Sequence, residues 1–353
     1  MRVAVKNDGV VISKAGRIKG HDAGPTLVRR FLRIFPGSLV IGPTARRCKG
    51  FDVVPVSYLD PENTVIINMD VMDSPSVWSS VYAETGLSAK IMNFVWRPVA
   101  DLVRPQQSAP TALSCALFPT FANSRRTATE VRELVRREMI PDLANNMELS
   151  WVNLGFRVDH IQDRKETKVP VVLYPAIYLN PAKRPDLFME IVERVRKRTP
   201  IEVEMRLAET SLVSEKAMAI SRLPWVWVGP LTATRSGYYE ALASTTAFLA
   251  TAVEESYGLS YVEALGAGVV GVFPDEEWAR ALLPLDYPFF YSDKHTAEQM
   301  LLRAVTEPEE CLAEVDVVSG GSFYDWLISN HSDSTFDREV RATVTKWFGS
   351  TSS

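Results

Sequence analysis

The sequence predicts an α/β protein built from two Rossmann-like domains. Three observations lead to this prediction: the chain has 353 residues, which is long for one hydrophobic core; short apolar strand patterns alternate with amphipathic helical patterns; and the alternation restarts after the polar stretch Arg157–Lys168. Strands that alternate with helices are typical of parallel sheets covered on both faces. We therefore predict domains at residues 1–160 and 161–334, followed by a terminal helix at residues 335–353.

The first half contains apolar runs with the length of strands. They predict strands at Arg2–Lys6, Ser38–Ile41, Asp52–Val56, Thr64–Met69, Lys90–Trp96 and Ala116–Ala122. A helix is predicted to begin at Gly24-Pro25, since proline is pre-organised for the first helical turn. Its apolar positions fall on one face, and Arg29, Arg30 and Arg33 fall on the other. A second helix is predicted at Thr127–Met139.

The second half repeats the pattern. Strands are predicted at Val169–Tyr174, Ile201–Leu207, Trp225–Val228, Ala247–Thr251 and Val269–Phe273. Helices are predicted at Pro185–Arg196, Gly237–Ser244 and Tyr261–Ala267, and the terminal segment Thr335–Phe348 has one apolar helical stripe. In such sheets ligands bind beyond the carboxyl ends of the strands, which is where we expect the functional residues.

Composition narrows the class of protein. Apolar residues make up 46% and charged residues 23%, which is ordinary for a globular protein, and no run approaches the ~18 apolar residues of a membrane span. The charged N-terminus does not read as a signal peptide, and three widely spaced cysteines predict neither a disulfide framework nor a zinc site. We therefore expect a reduced, cytoplasmic protein.

Residues 1–49 contain 11 Lys and Arg residues but only two acidic residues, which indicates either an anion-binding surface or a solvated basic face.

The segment from Glu255 to Gly268 combines the features of a ligand site. Glu255 and Glu263 stand eight positions apart around Gly258, and a buried strand follows directly. Glu255 is therefore predicted in a loop after a strand, with Glu263 just inside the next helix. Gly258 allows close approach of a ligand, and the helix N-terminus offers N–H groups suited to a diphosphate. The structural alternative for Glu263 is a capping box with Ser260.

This segment resembles the E-x7-E signature of retaining glycosyltransferases of the family 4-like type, which have the GT-B fold of two facing Rossmann-like domains. The resemblance implies that Glu255 is catalytic through contact with the donor sugar, and that Glu263 hydrogen-bonds the nucleotide ribose. It also implies that Lys183, in Tyr174–Phe188, contacts the donor diphosphate. Further donor-binding candidates are Gly258, Leu259 and Arg184. In the GT-B fold the terminal helix often crosses back to the first domain.

The sequence departs from the family pattern at two points. Ile177 stands six residues before Lys183, where the family has a phosphate-binding arginine, so that another cation such as Arg184, Arg206 or Arg235 would be needed. The strand Ile91–Arg97 lacks the histidine that many relatives place near the sugar. Candidates for the cleft and the acceptor are instead Gly16, Gly20, His21, Asp22, Asn93 and Arg97.

Weaker similarities extend along the chain. Phe121–Glu130 resembles the strand-to-helix element before the family's linker, and Val152–Asp159 resembles the linker strand. Tyr324–Phe336 is faintly similar to the tail of phage DNA α-glucosyltransferases. No Asp-x-Asp motif of metal-dependent glycosyltransferases occurs, and Asp70–Asp73 has the wrong spacing, so that we expect no catalytic metal and no cofactor.

The resulting expectation is a metal-independent retaining glycosyltransferase that moves a sugar from a nucleotide-sugar to an acceptor hydroxyl. The acceptor stays open: a sugar, a lipid, a small molecule, or a polyanion such as modified nucleic acid that would bind through residues 1–49. The alternatives are a nucleotide-sugar epimerase of the same fold, a non-catalytic nucleotide-sugar-binding protein, which the isoleucine at 177 favours, and a purely structural protein.

Overall fold

A computed structural model describes residues 1–20, 23–97, 99, 105–231 and 235–349. The chain divides into two compact units, one formed by Met1–Asn153 with Phe336–Ser353 and the other by Leu154–Thr335. The polar stretch 157–168 belongs to the second unit, where the backbone N–H of Lys165 donates to the Ala243 carbonyl.

The first unit is built on one sheet. Its strands within the described residues are β1 (Arg2–Lys6), β2 (Leu39–Ile41), β3 (Arg46–Arg47), β4 (Asp52–Val54), β5 (Thr64–Asn68), β6 (Lys90–Val95), β7 (Thr120–Ala122) and β8 (Leu149–Trp151). They lie in the order β3-β4-β2-β1-β5-β6-β7-β8, and β3 alone among them runs antiparallel to its neighbour. The central strands β1, β5 and β6 are mostly buried and largely apolar, as expected for a sheet covered on both faces, with most of their polar residues at the strand ends.

Helices connect these strands. They are α1 (Ala23–Ile34), α2 (Ser74–Thr85), α3 (Pro105–Leu117), α4 (Arg125–Glu138) and α5 (Pro141–Asn145). The predicted strand at Ala116–Ala122 is wrong in its first half, since α3 continues to Leu117 and only Thr120–Ala122 is extended. Pro119 disfavours helical geometry in the residue before it, so that the apolar run spans a helix end and a strand start.

The second unit holds a parallel sheet with the order β11-β10-β9-β12-β13-β14. Its strands are β9 (Val171–Tyr174), β10 (Glu202–Leu207), β11 (Val226–Pro230), β12 (Ala247–Leu249), β13 (Val270–Pro274) and β14 (Phe290–Tyr291). Its helices are α6 (Pro185–Arg196), α7 (Glu209–Leu212), α8 (Glu215–Ile220), α9 (Arg235–Ala243), α10 (Leu259–Gly266), α11 (Glu277–Arg280), α12 (Lys294–Thr306), α13 (Pro308–Val318) and α14 (Phe323–His331). The predicted linker strand at Val152–Asp159 is wrong, because Phe156 makes only an isolated bridge to Ser332.

The last helix, α15 (Asp333–Phe348), packs onto the first unit from Phe336 onward. The Phe336 ring lies 6.4 Å from that of Phe31 on α1, and Asp337 pairs with Arg30 at 3.0 Å and with Arg33 at 2.7 Å. These two arginines therefore hold the terminal helix. Arg29 donates to the Gly20 carbonyl at 2.8 Å. Intramolecular partners thus engage part of the basic face of α1, while the Arg33 side chain stays 42% exposed.

This packing makes the Asp337 carboxylate a stability determinant. We expect Asp337→Ala to lower the free energy of unfolding by about 1–3 kcal/mol, because it leaves the nearly buried Arg30 guanidinium without its carboxylate. Glu339→Ala is the matched control, since its partner Arg338 is largely exposed and such pairs contribute only about 0–1 kcal/mol. Urea unfolding of both variants measures the difference. Equal midpoints would contradict the structural role.

No helix among the described residues combines the length and the apolar character needed to cross a membrane.

Candidate functional site

The site predicted in the second unit lies at the carboxyl ends of two adjacent strands. β9 and β12 pair in parallel, and each is followed by a loop. The two loops are tied together, because the Thr251 hydroxyl donates to the Lys183 carbonyl at 2.8 Å and the Val253 N–H donates to the Ala182 carbonyl at 2.9 Å. The fold thereby brings together residues 183 and 255, which are 72 positions apart in the chain.

Glu255 is the centre of this cluster. Its Oε1 lies 2.6 Å from Lys183 Nζ and accepts a hydrogen bond from Tyr261 Oη at 2.9 Å. Both side chains of the ion pair are mostly covered, with exposed fractions of 18% for Lys183 and 16% for Glu255. Burial, and then the neighbouring Glu255 carboxylate, raise the pKa of Tyr261 well above its usual value. Tyr261 therefore stays protonated and acts as a fixed donor that orients the carboxylate.

The loop that carries Lys183 has an unusual backbone. The Asn180 side chain caps its short turn by accepting from the Lys183 N–H at 3.1 Å. Arg184 follows with φ of 46°, in the left-handed region that residues other than glycine rarely adopt. Strain of this kind of about 1–3 kcal/mol is often retained at functional sites. Arg184 is exposed and stands immediately before α6.

Helix α10 completes the site. It begins at Leu259, and Gly258 at its N-cap has φ of 85°; a Cβ there would lie 2.9 Å from side-chain atoms of both Leu282 and Tyr261. The capping-box alternative for Glu263 is wrong, because Ser260 is the second helical residue and not the N-cap. Glu263 lies one turn inside the helix and is only 3% exposed. No side chain caps the start of α10, and an uncapped helix start can offer its first amide groups to an anion.

The structure reduces the number of side chains that could replace the arginine expected at residue 177. Ile177 is half-buried, and its carbonyl accepts from the Ala208 N–H. Arg206 is ion-paired with Glu204, and its guanidinium lies 4.8 Å from the Trp227 ring, so that it serves strand packing. The Arg235 side chain lies outside the described part of the structure. Arg184, adjacent to Lys183, is the candidate that the geometry favours.

The acceptor candidates of the first unit differ in whether the structure describes them and in how exposed they are. Asn93 is fully buried; its side chain accepts from the Ser74 hydroxyl at 2.6 Å and donates to the Ser114 carbonyl, so that it is a core residue and not a cleft residue. Arg97 is exposed and lies 4.7 Å from the Trp96 ring. Gly16 and Gly20 have positive φ. His21 and Asp22 lie outside the described residues.

Two features of these sites escaped the sequence analysis. The first is Tyr261, which the sequence analysis treats only as part of the predicted helix. Its position in the first turn after a glycine could have predicted its contact with the preceding loop, since helical side chains point back toward the N-terminus. The second is Lys6, whose Nζ contacts Asp8 at 2.9 Å, Asp70 at 3.3 Å and Asp73 at 2.7 Å.

Asp70 and Asp73 therefore form ion pairs with the Lys6 side chain. Among the described residues no three His, Cys, Asp or Glu side chains converge as metal ligands would.

Comparison with solved structures identifies the fold. Trehalose-6-phosphate synthase OtsA superposes with a TM-score of 0.71 at 10% identity, over 98% of this chain and 99% of that one. Anabaena HepE, solved with UDP and glucose, gives a TM-score of 0.69 at 12% identity over 98% and 99%. The chain has the GT-B fold.

A third similar structure is longer than this chain. S. aureus TarM, solved with fondaparinux, alpha-GlcNAc-glycerol and UDP, gives a TM-score of 0.61 at 13% identity over 83% of this chain. The chain spans 56% of the TarM chain, or about half of its length. Comparison of the sequence with protein-family models and with curated proteins gave no match. At these identities the similarity establishes the fold and leaves the activity to be argued from the site.

Proposed function

We propose that this protein is a retaining glycosyltransferase that uses a nucleotide-sugar donor. The observation that carries the proposal is the cluster of Lys183, Glu255 and Tyr261 at the ends of β9 and β12, beside the N-terminus of α10. A cation, an oriented carboxylate and free helix amides are the groups that a sugar diphosphate requires. The GT-B fold of known sugar-nucleotide enzymes supports this assignment.

The donor would be held along this cluster. The α10 amides and Lys183 bind the diphosphate, Arg184 adds charge where residue 177 lacks it, and Glu263 binds the ribose. Glu255 then faces the sugar, since it lies 2.6 Å from the phosphate-binding ammonium. The arriving diphosphate takes over Lys183, and Tyr261 keeps the released carboxylate in place. Backbone atoms of Gly258 and Leu259 line the same end of the helix.

The chemistry follows from this arrangement. As the bond from the anomeric carbon to the diphosphate breaks, negative charge grows on the leaving oxygen near Lys183 and the helix dipole. Positive charge grows on the sugar, where Glu255 stabilises it. The departing phosphate accepts the proton of the acceptor hydroxyl as that oxygen attacks from the same face. Configuration is retained without a covalent sugar–enzyme intermediate, and neutralisation by Lys183 and the amides makes the step metal-independent.

We propose a division of roles between the two units, with the donor in Leu154–Thr335 and the acceptor in the first unit. A pocket of about 350 Å³ lies at the ends of the first unit's strands, and its described lining includes Asp8, Asp70, Asp73, Trp96 and Arg97. The three carboxylates outnumber the two cations beside them, Lys6 and Arg97, and carboxylates accept hydrogen bonds from hydroxyl groups and repel phosphates. A neutral polyhydroxyl acceptor is therefore favoured over a polyanion.

The experiment that tests the function is a turnover assay with defined donors. UDP-glucose and UDP-N-acetylglucosamine are the first choices, because HepE and TarM were solved with UDP. Transfer to a sugar or glycerol acceptor, with the α configuration kept, supports the proposal. Conversion of the donor alone into its epimer would favour an epimerase, and donor binding without turnover would favour a binding protein.

Glu263 gives a separate test of the donor site. We expect Glu263→Gln to weaken UDP binding by about 5-fold, since it removes the charge from a hydrogen bond worth about 1 kcal/mol. The melting temperature should stay close to that of the wild type, because glutamine keeps the volume of the buried side chain and an oxygen that accepts hydrogen bonds. Calorimetric titration measures both proteins, with inorganic pyrophosphate as the control ligand that lacks a ribose. Unchanged UDP affinity would remove Glu263 from the site.

A further inference from the structure

A buried hydrogen bond ties the site loop to the segment that leaves the second unit. Tyr257 Oη lies 2.6 Å from His331 Nδ1, and both side chains are almost fully buried. Tyr257 is two residues beyond Glu255 and directly precedes Gly258. His331 is the last residue of α14, 74 positions further along the chain. The contact therefore fixes a short loop against a distant part of the same unit.

The segment that holds His331 is itself anchored. The His331 carbonyl accepts from the Phe156 N–H at 2.7 Å, and the Phe156 carbonyl accepts from the Asp333 N–H at 2.9 Å. The Phe156 ring packs on Gly266 at the end of α10, where an added Cβ would lie 2.5 Å from the ring. Helix α10 is thus held at its end by Phe156 and at its start by the Tyr257–His331 pair.

The surroundings of the pair are apolar. The His331 ring lies 5.5 Å from the Trp326 ring and 5.9 Å from the Tyr257 ring. Burial lowers the pKa of His331 to about 4, so that the imidazole is neutral at pH 7. The buried hydrogen bond between Tyr257 and the neutral imidazole of His331 has a fixed direction through Nδ1, which suits a positional role.

We propose that Tyr257 and His331 are positioning residues that hold the loop 254–258 so that Glu255 meets Lys183. Neither residue needs to contact the donor. The kinetic part of this inference rests on the proposed function, whereas the structural part does not.

Three variants test the pair. The side-chain amide of asparagine lies near the position of Nδ1 and can bond to Tyr257, whereas that of glutamine lies near the position of Nε2 and cannot. We expect His331→Gln and Tyr257→Phe to lower kcat by about 10- to 100-fold, the scale of a misplaced catalytic group, with the Kd of UDP nearly unchanged. His331→Asn should restore most of the turnover. A merely structural role would lower the melting temperature and leave kcat of the folded fraction intact.

Hydrogen exchange supplies a readout that needs no substrate. Amides of residues 253–258 should exchange faster in His331→Gln and Tyr257→Phe than in the wild type and in His331→Asn, with β9 and β10 unaffected. Equal exchange in all four proteins overturns the inference, as does equal kcat for the asparagine and glutamine variants. A wild type that turns over no sugar nucleotide defeats the proposed function alone, since the exchange experiment still decides the role of the pair.

Discussion

Glu255→Gln is expected to lower kcat by about 10²–10³-fold while the protein stays folded. Removing one group that stabilises transition-state charge typically has an effect of this size. Glutamine keeps the volume of the side chain and an oxygen that can accept from Tyr261, so that the change removes mainly the charge facing the sugar. Steady-state kinetics at saturating UDP-sugar, with UDP affinity measured in parallel, separate the loss of turnover from a loss of binding.

The neighbouring residue is the matched control. Glu254 is exposed and one position away, so that Glu254→Gln changes the charge of the same loop. We expect near-normal kcat from this variant. Equal kcat for the Glu255 variant and the wild type would refute the catalytic assignment. An equal loss of kcat in the Glu254 and Glu255 variants would show only a general effect of the charge of the loop.

Lys183→Ala is expected to weaken UDP binding by about 1.5–3 kcal/mol, or about 10- to 150-fold, the contribution of a hydrogen bond between charged groups. Uridine should bind equally to variant and wild type, because it has no phosphate. Calorimetric titration of both proteins with UDP and with uridine measures the change in affinity for each ligand. Equal losses for uridine and UDP would show that Lys183 is not the phosphate ligand.

The ion pair between Lys183 and Glu255 requires one more variant. Without the ammonium, Glu255 would stand unpaired near the diphosphate and repel it, which would exaggerate the loss. The double variant Lys183→Ala with Glu255→Gln removes both charges, and the resulting cycle isolates the attraction between Lys183 and phosphate. We expect the double variant to bind UDP more tightly than Lys183→Ala and more weakly than Glu255→Gln.

Local sequence patterns predicted most of the strands and the site loops. The run Val269–Phe273 and the glycine at 258 placed β13 and the start of α10 within a residue or two, because burial and positive φ leave clear signals. The pattern failed at Ala116–Ala122, where a short apolar run fits a helix end and a strand equally. It also failed for Glu263, because S-x-x-E is a capping box only if the helix starts at the serine.

The remaining errors concern contacts between distant residues. The sequence predicts Arg30 and Arg33 on the polar face of α1, but it does not predict their pairing with Asp337, which is more than 300 positions away. From the sequence, Asn93 is a polar residue near a strand end that could face a ligand. Only the fold shows that its side-chain amide forms hydrogen bonds with Ser74 and Ser114 inside the core. The Tyr257–His331 pair has no local signal, since a lone tyrosine and a lone histidine are common in any chain.

Thermal unfolding with nucleoside diphosphates tests most directly the claim that Lys183 and Glu255 form a sugar-nucleotide site. A ligand at about 100 times its Kd raises the free energy of unfolding by about 2.7 kcal/mol. The proposed site predicts that UDP or another nucleoside diphosphate raises the melting temperature of the wild type and that the matching nucleoside does so far less. Lys183→Ala should greatly reduce this difference. A wild type that no nucleoside diphosphate stabilises, or a Lys183 variant that is stabilised equally, would contradict it.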